Sequence, residues 1–228
     1  MRSPVIRDLG EGLSYGEARQ VQERLHLLRC RGAIPDTLLL LEHRKVYTLG
    51  CSADLSHLLR ARGEVLREGI EVVEADRGGD ITYHGPGQII GYPIVHLGEA
   101  GLHVVEYVTA LEEILIRTAA DFGVRAGRDP RNRGVWVGNS KLAALGIRVS
   151  HRVTLHGFAL NVSTDLSDFE AIIPCGLPGV GVTSLEVLLG RAPDRGEVKR
   201  ALAAHFCEVL YAGTPGLDPP PFPVGFRG

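Results

Sequence analysis

The 228-residue chain is 44% hydrophobic with a formal charge of -2. That suits one domain with a sizeable core and argues against nucleic-acid or membrane-surface binding through net charge, though not against a local basic patch. The four cysteines, Cys30, Cys51, Cys175 and Cys207, contain no Cys-x-x-Cys pair, and no segment reads as a secretory signal or membrane span. A soluble, cytoplasmic protein with reduced thiols, no zinc knuckle and no other metal is expected.

In chain order, Ser14-Tyr15-Gly16-Glu17 has capping-box form, and Ala18, Val21, Leu25 and Leu28 follow at helical spacing, predicting a helix over 15–30. The apolar runs 37–42 and 46–49 predict a pair of core strands. A strand near 70–74 leads into a glycine-rich segment, and strand character resumes over 88–97 with Ile89, Ile90, Tyr92, Ile94 and Val95. The longest helix is expected over 103–122, its inner stripe Val104, Val108, Leu111, Leu115 and Ala119. Strands near 134–138, 140–149 and 153–162 outline an antiparallel meander. Thr183-Ser184-Leu185-Glu186 and Asp194-Arg195-Gly196-Glu197 read as two further helix starts, the second helix running to about Tyr211. Residues 214–228 hold five prolines and no helical period, which reads as an extended tail.

Three segments carry chemistry. Arg77-Gly78-Gly79-Asp80-Ile81-Thr82-Tyr83-His84-Gly85-Pro86-Gly87-Gln88 brackets an Arg, an Asp and a His with glycines and a proline. Walker spacing and the dinucleotide fingerprint are both absent, so ATP or NAD binding has no support. A turn-rich hairpin in which Asp80 and His84 satisfy backbone groups is the competing reading. Gly134-Val135-Trp136-Val137-Gly138-Asn139-Ser140-Lys141-Leu142-Ala143-Ala144-Leu145-Gly146 puts Lys141 at the start of a strand, just past a turn. By itself such a lysine is a solvated surface charge. Near a cysteine its ammonium would favour the thiolate, and a desolvated lysine amine can serve as a general base. Pro174-Cys175-Gly176-Leu177-Pro178-Gly179-Val180-Gly181-Val182-Thr183-Ser184 then mounts Cys175 in a segment whose prolines restrict φ and whose glycines permit φ > 0. An isolated free cysteine is more often a small buried hydrophobe. The run His156-Gly157-Phe158-Ala159-Leu160-Asn161-Val162 forms a strand leading toward it.

Taken together, the 77–88 segment, the Lys141 strand, Gly157 to Val162 and Ile173-Pro174-Cys175-Gly176 resemble the lipoyl(octanoyl) transferases over about residues 10–212. The resemblance implies an α/β (α+β) fold with a mixed, largely antiparallel sheet flanked by helices, shared with the biotin and lipoate protein ligases. It implies a catalytic domain at 1–213 and a proline-rich tail at 214–228. The implied reaction moves an octanoyl group from octanoyl-acyl carrier protein to a lysine of a lipoyl domain, on a 2-oxoacid dehydrogenase subunit or the glycine-cleavage H protein. It would be the first step of endogenous lipoate biosynthesis, carried out by a monomer without a cofactor. By residue-for-residue match Cys175 takes the acyl group as a thioester and Lys141 is its partner. Arg77, Gly78, Gly79, Asp80, Ile81, Thr82, Tyr83, His84, Ala144, Leu145, Gly146, Gly157, Phe158 and Ala159 would line the acyl and pantetheine site. Cys51 departs from the family pattern, which has no thiol just past that strand.

The chemistry sets matching requirements. Exchange of one thioester for another is nearly balanced and needs positioning, whereas aminolysis to an amide runs downhill. The incoming amine must lose a proton, and Lys141 is the candidate acceptor, with His84 orienting it or lining the site. Oxyanion donors, worth about 2.7–4 kcal/mol each in other enzymes, could be the N–H groups of Leu145 and Gly146 or of Cys175 and Gly176. An eight-carbon chain needs an apolar slot at about 0.8 kcal/mol per methylene, for which Tyr83, Leu145 and Phe158 are suitable walls. Arg125, Arg128, Arg131, Arg133, Lys141, Arg148 and Arg152 stand against Asp129 alone in their stretch, a patch that could steer an acidic carrier or simply be a solvated loop. Three rivals share parts of this pattern: an ATP-dependent lipoate or biotin ligase, a cysteine hydrolase pairing Cys175 with His84 or His156, and a non-catalytic carrier-binding module.

Overall fold

The computed structural model describes residues 3–177 and 179–211, and of Cys175 the main chain alone; the expected tail at 214–228 lies outside the described residues. The first strand, β1 (Val5–Asp8), was not foreseen, because Ile6 is its single buried residue and no alternation marks it. α1 (Tyr15–Cys30) begins as the capping box requires: Glu17 N–H donates to Ser14 Oγ (3.2 Å) and Ser14 N–H donates to the Glu17 carboxylate (2.8 Å). Every residue of β2 (Thr37–Leu41) is buried, since Leu38 and Leu40 face one core and Leu39 and Leu41 another. A strand covered on both faces reads as a continuous apolar run.

The chain continues through β3 (Val46–Leu49), a 3-10 turn at Leu55–His57, α2 (Arg62–Arg67), β4 (Glu71–Glu74), β5 (Ile81–His84), β6 (Gln88–Ile94), α3 (Leu97–Ala100) and α4 (Val104–Asp121). The expected meander follows as β8 (Asn132–Val137), β9 (Ser140–Ser150) and β10 (Val153–Asn161), preceded by the short β7 (Gly127–Asp129). Two 3-10 segments, Leu166–Ala171 and Pro174–Gly176, lead to β11 (Gly181–Val182), α5 (Leu185–Leu189) and α6 (Arg195–Tyr211). Ser184 caps α5 through Val187 N–H, and Asp194 accepts from Glu197 N–H (2.8 Å) at the start of α6.

An eight-stranded sheet runs β1-β2-β6-β10-β9-β8-β7 with β11 beside β9, and a three-stranded sheet runs β4-β3-β5. In the large sheet β1/β2 and β9/β11 are parallel and the other pairs antiparallel. α4 and α6 cover one face, over a core of Leu111, Leu115, Leu202 and Phe206, and α1 covers the other through Ala18 and Leu25. The fold is thus the mixed, largely antiparallel α/β architecture expected. Among the described residues no helix is long and apolar enough to cross a membrane.

Three expectations need correction. β2 and β3 do not pair: both edges of β2 are taken by β1 and β6, so β3 joins the small sheet between β4 and β5. For the same reason the 77–88 segment is no hairpin. β6 is flanked by β2 and β10, and the chain changes sheets at 85–87. In α4 the inner stripe begins at Tyr107, not Val104, which is 46% exposed on the first turn.

Candidate active site

The two sheets meet at a cleft that opens to solvent. The 77–80 loop forms one wall. Arg77 is buried and donates from Nη2 to Thr48 O (2.6 Å) and from Nε to Thr48 Oγ1 (3.0 Å), fixing the loop to β3. Gly78 N–H donates to Ile147 O (3.0 Å), joining the same loop to β9. Gly146 permits this approach, because a Cβ there would stand 2.8 Å from Gly78 O.

The opposite wall is the β9–β10 pair, with Ala144 opposite Ala159, Leu145 opposite Phe158 and Gly146 opposite Gly157. Across it, a Cβ on Gly91 would enter the Phe158 ring at 2.1 Å, and one on Gly157 would lie 2.2 Å from Gly91 O. Backbone cannot rotate away as a side chain can. Gly157→Ala should therefore destabilise the protein by about 3 kcal/mol, the upper part of the range for overpacking, read as a lowered urea midpoint at unchanged m-value.

Of the residues the sequence nominated, Arg77, Gly79, Asp80, Ile81, Thr82, His84, Ala144, Leu145, Gly146, Gly157, Phe158 and Ala159 line the cleft. Tyr83 and Gly78 do not. Side chains alternate along β5, so Thr82 and His84 face the cleft while the Tyr83 ring packs in the small-sheet core against Tyr47 and Phe169, at centroid distances of 5.5 and 5.4 Å. Tyr15, Tyr92, Asn132 and His156 complete the lining. Their positions depend on packing between α1, β6, β8 and β10, which no local motif announces.

Lys141 is 5% exposed on β9, opposite Trp136 of β8. Its Nζ lies 4.7 Å from the Trp136 ring centroid and donates to Asn132 Oδ1 (3.2 Å), itself a cleft residue, and to Arg133 O (3.4 Å). The ammonium is thereby held by a π face and two carbonyl oxygens at the edge of the cleft.

The Cys175 side chain lies outside the described residues, and its main chain is located by contacts on both sides. After the turn, β11 pairs parallel to β9 with Val182 opposite Lys141, and Thr183 N–H donates to Lys141 O (3.0 Å). Within the turn, a Cβ on Gly176 (φ +65°) would meet Asp80 Oδ2 at 2.7 Å. The turn therefore runs from the Lys141 strand to the 77–80 loop.

Two histidines in the cleft are kept neutral. Burial pushes His84 well below the ordinary imidazole range; Nδ1–H donates to Gln88 Oε1 (2.8 Å) and Nε2 accepts from Thr48 Oγ1 (3.5 Å). Burial also lowers His156, offset in part by Asp76, which accepts from Nε2–H at 2.7 Å while Nδ1 faces the Tyr15 hydroxyl at 3.4 Å. His156 sits in the left-handed region at φ +57° within β10. Although burial works against it, Asp76 is held below the usual carboxylate range by His156, Arg19 and Arg148. With both ring nitrogens engaged, neither histidine is placed as a free general base.

Beneath the cleft His43 donates from Nδ1 to Leu13 O (3.2 Å) and accepts at Nε2 from Tyr92 OH (2.7 Å). Burial lowers it to about 4. Between pH 4 and 6.5 the unfolded chain binds more protons at this residue than the folded one, so stability rises with pH through that window and levels off above it. Urea unfolding should show about 2–3 kcal/mol lost from this group between pH 7 and 4.5, and His43→Gln should have a shallower acid slope.

The arginine-rich stretch is not a bare positive patch. Arg128 meets Glu112 (3.3 Å) and Glu113 (2.8 Å), Arg133 meets Glu112 (3.2 Å), Arg131 meets Asp129 (2.7 Å), and Arg148 pairs with Asp76. Glu112, Glu113 and Asp76 lie outside the sequence window that made the stretch look one-signed.

The lipoyl protein ligase A/B catalytic domain model matches residues 14–207. An octanoyltransferase of Rubrobacter xylanophilus is 50% identical over 213 residues, covering 92% of this chain and 95% of that protein. One of Geobacter metallireducens is 46% identical over 214 residues, covering 94% and 97%. A solved structure of a Thermoplasma acidophilum protein, a suggested lipoate protein ligase with bound lipoic acid, superposes with a TM-score of 0.74 at 15% identity, covering 92% of this chain and 86% of that one. The chain belongs to the lipoyl protein ligase A/B catalytic-domain family. Within it, the sequence relatives make it an acyltransferase, as the motif resemblance implied.

Proposed function

We propose that the protein transfers an octanoyl group from octanoyl-acyl carrier protein to the ε-amine of a lysine on a lipoyl domain or the glycine-cleavage H protein, through a thioester on Cys175. The domain at 1–213 is the catalytic unit, acting as a monomer. Octanoyl transfer in lipoate biosynthesis follows from relatives that share about half their residues with this chain over nearly its whole length. The finer mechanism is supported above all by the tethering of the Cys175 turn between the Lys141 strand and the 77–80 loop, at the edge of the cleft.

In the first half-reaction the Cys175 thiolate, its proton already held on the Lys141 ammonium, attacks the donor thioester carbon. A new C–S bond forms, the bond to the carrier's pantetheine sulfur breaks, and that thiolate recovers the proton as it leaves. In the second, the acceptor amine attacks the Cys175 thioester and passes a proton to Lys141 as the amide forms; Cys175 departs as thiolate. Leu145 and Phe158 give the acyl chain an apolar wall, with Gly157 and Ala159 leaving room beside them. The acceptor must enter after the carrier has left, so the kinetics are ping-pong.

Incubation with octanoyl-carrier in the absence of acceptor tests this. The intact mass should rise by one octanoyl group, mapping to Cys175 and released by hydroxylamine. Undiminished transfer with an unmodified Cys175 would sink the covalent scheme. The hydrolase reading is disfavoured by the engaged nitrogens of His84 and His156. Slow loss of the octanoyl mass in buffer, against fast loss on adding lipoyl domain, separates the two.

A further inference from the structure

The carboxylate of Asp80 is committed before any ligand arrives. Its Oδ1 accepts from Asp54 N–H (3.1 Å) and Ile81 N–H (2.7 Å), and its Oδ2 lies 2.5 Å from His57 Nδ1. His57 closes the 3-10 turn Leu55–His57, whose start is capped by Asp54 accepting from Ser56 N–H (2.8 Å). The main chain of this same strap pairs with the segment entering the nucleophile turn. Ile173 N–H donates to His57 O (2.8 Å), Leu59 N–H donates to Ala171 O (2.9 Å), and Leu58 bridges Ile172. On the other side of Cys175, a Cβ on Gly176 would stand 2.7 Å from Asp80 Oδ2 and 3.0 Å from His57 Cε1. The residue that follows the nucleophile therefore rests directly on the imidazole–carboxylate pair.

The turn itself is poorly held from within. Pro174–Gly176 is a single 3-10 turn closed by Gly176 N–H to Ile173 O (3.1 Å) and Leu177 N–H to Pro174 O (3.2 Å). Two local hydrogen bonds leave such a segment several conformations within about 1 kcal/mol each. A nucleophile misplaced by about 1 Å loses on the order of 100-fold in rate. A contact from outside the turn can select one conformation, and the pair makes such a contact at Gly176.

We propose that His57, donating Nδ1–H to Asp80, is a positioning residue for the reaction: the pair buttresses the left-handed main chain at Gly176 and so sets the turn that carries Cys175. This rests on the acyl-enzyme reading above. His57 transfers no proton in this role; what it supplies is a donor and a surface. The strap thus acts twice, through its main chain before Cys175 and through its side chain after it.

The test uses the full-length protein, octanoyl-carrier and rapid-quench measurement of octanoyl mass on Cys175. His57→Ala should acylate about 100-fold more slowly, with the donor concentration giving half-maximal rate changed by less than about twofold. His57→Asn keeps an N–H close to the position of Nδ1 and should recover most of the lost rate, a rescue that an acid–base role would not produce. Wild-type acylation by His57→Ala overturns the proposal, and so does an Asn variant that is folded to the wild-type melting temperature yet as slow as Ala. A wild-type enzyme that takes no acyl group on Cys175 would remove the acyl-enzyme reading and this proposal with it, a result distinct from either.

Discussion

Cys175→Ala should retain less than about one part in 10³ of octanoyl transfer while keeping its fold. In enzymes whose nucleophile acts as part of a unit, removing it alone costs nearly as much as removing the whole unit. What survives is the contribution of binding and oxyanion donors. Alanine leaves in place the main-chain hydrogen bonds from Gly176 N–H to Ile173 O and from Leu177 N–H to Pro174 O, and the contact of Gly176 with Asp80 and His57. The melting temperature should therefore stay within about 2 °C, and the octanoyl mass adduct should vanish. A Cys175→Ala enzyme transferring at even a tenth of the normal rate would mean direct attack by the acceptor amine on the carrier thioester.

Lys141→Ala comes next in size, with transfer expected to fall by about 10² to 10⁴-fold, the range for loss of a positioned proton-transfer group. Loss of the ammonium should also raise the apparent pKa for alkylation of Cys175 toward the ordinary thiol value of about 8.5. Lys141→Arg should not rescue: guanidinium keeps the charge but does not give up its proton. Profiles of iodoacetamide rate against pH for the three proteins decide the matter. A pKa unchanged in Lys141→Ala would remove Lys141 from activation of the thiol.

The elements were legible where a period carried them. α1 announced itself by its capping box and stripe, and the meander by alternation and turns. Pairing was less legible, because it depends on which strand edges remain unoccupied: β1 and β6 fill both edges of β2, a fact about residues far from 37–42. The candidate site was readable as motifs, since glycines demanded by close approach, such as Gly146 and Gly157, sit next to the residues that build the wall. Tyr83 misled because the strand's two-residue period turns it away from Thr82 and His84. Asn132, Tyr92 and Asp76 gave no signal, and His57 stood between Leu55 and Leu58-Leu59 with no motif around it. The arginine stretch reads as one-signed along the chain for a related reason: its partners Glu112 and Glu113 come from α4, outside that stretch.

The backbone leaves the large sheet after β2 and returns to it at β6, and one side chain ties the two crossing points together: Glu42, just past β2, accepts from Gly87 N–H at 2.8 Å. The walls of the cleft belong to different sheets, so this carboxylate works as a rivet through the seam. Loosening it would let the reactive surfaces drift apart without breaking either one, and activity would fade on heating before the helices melt.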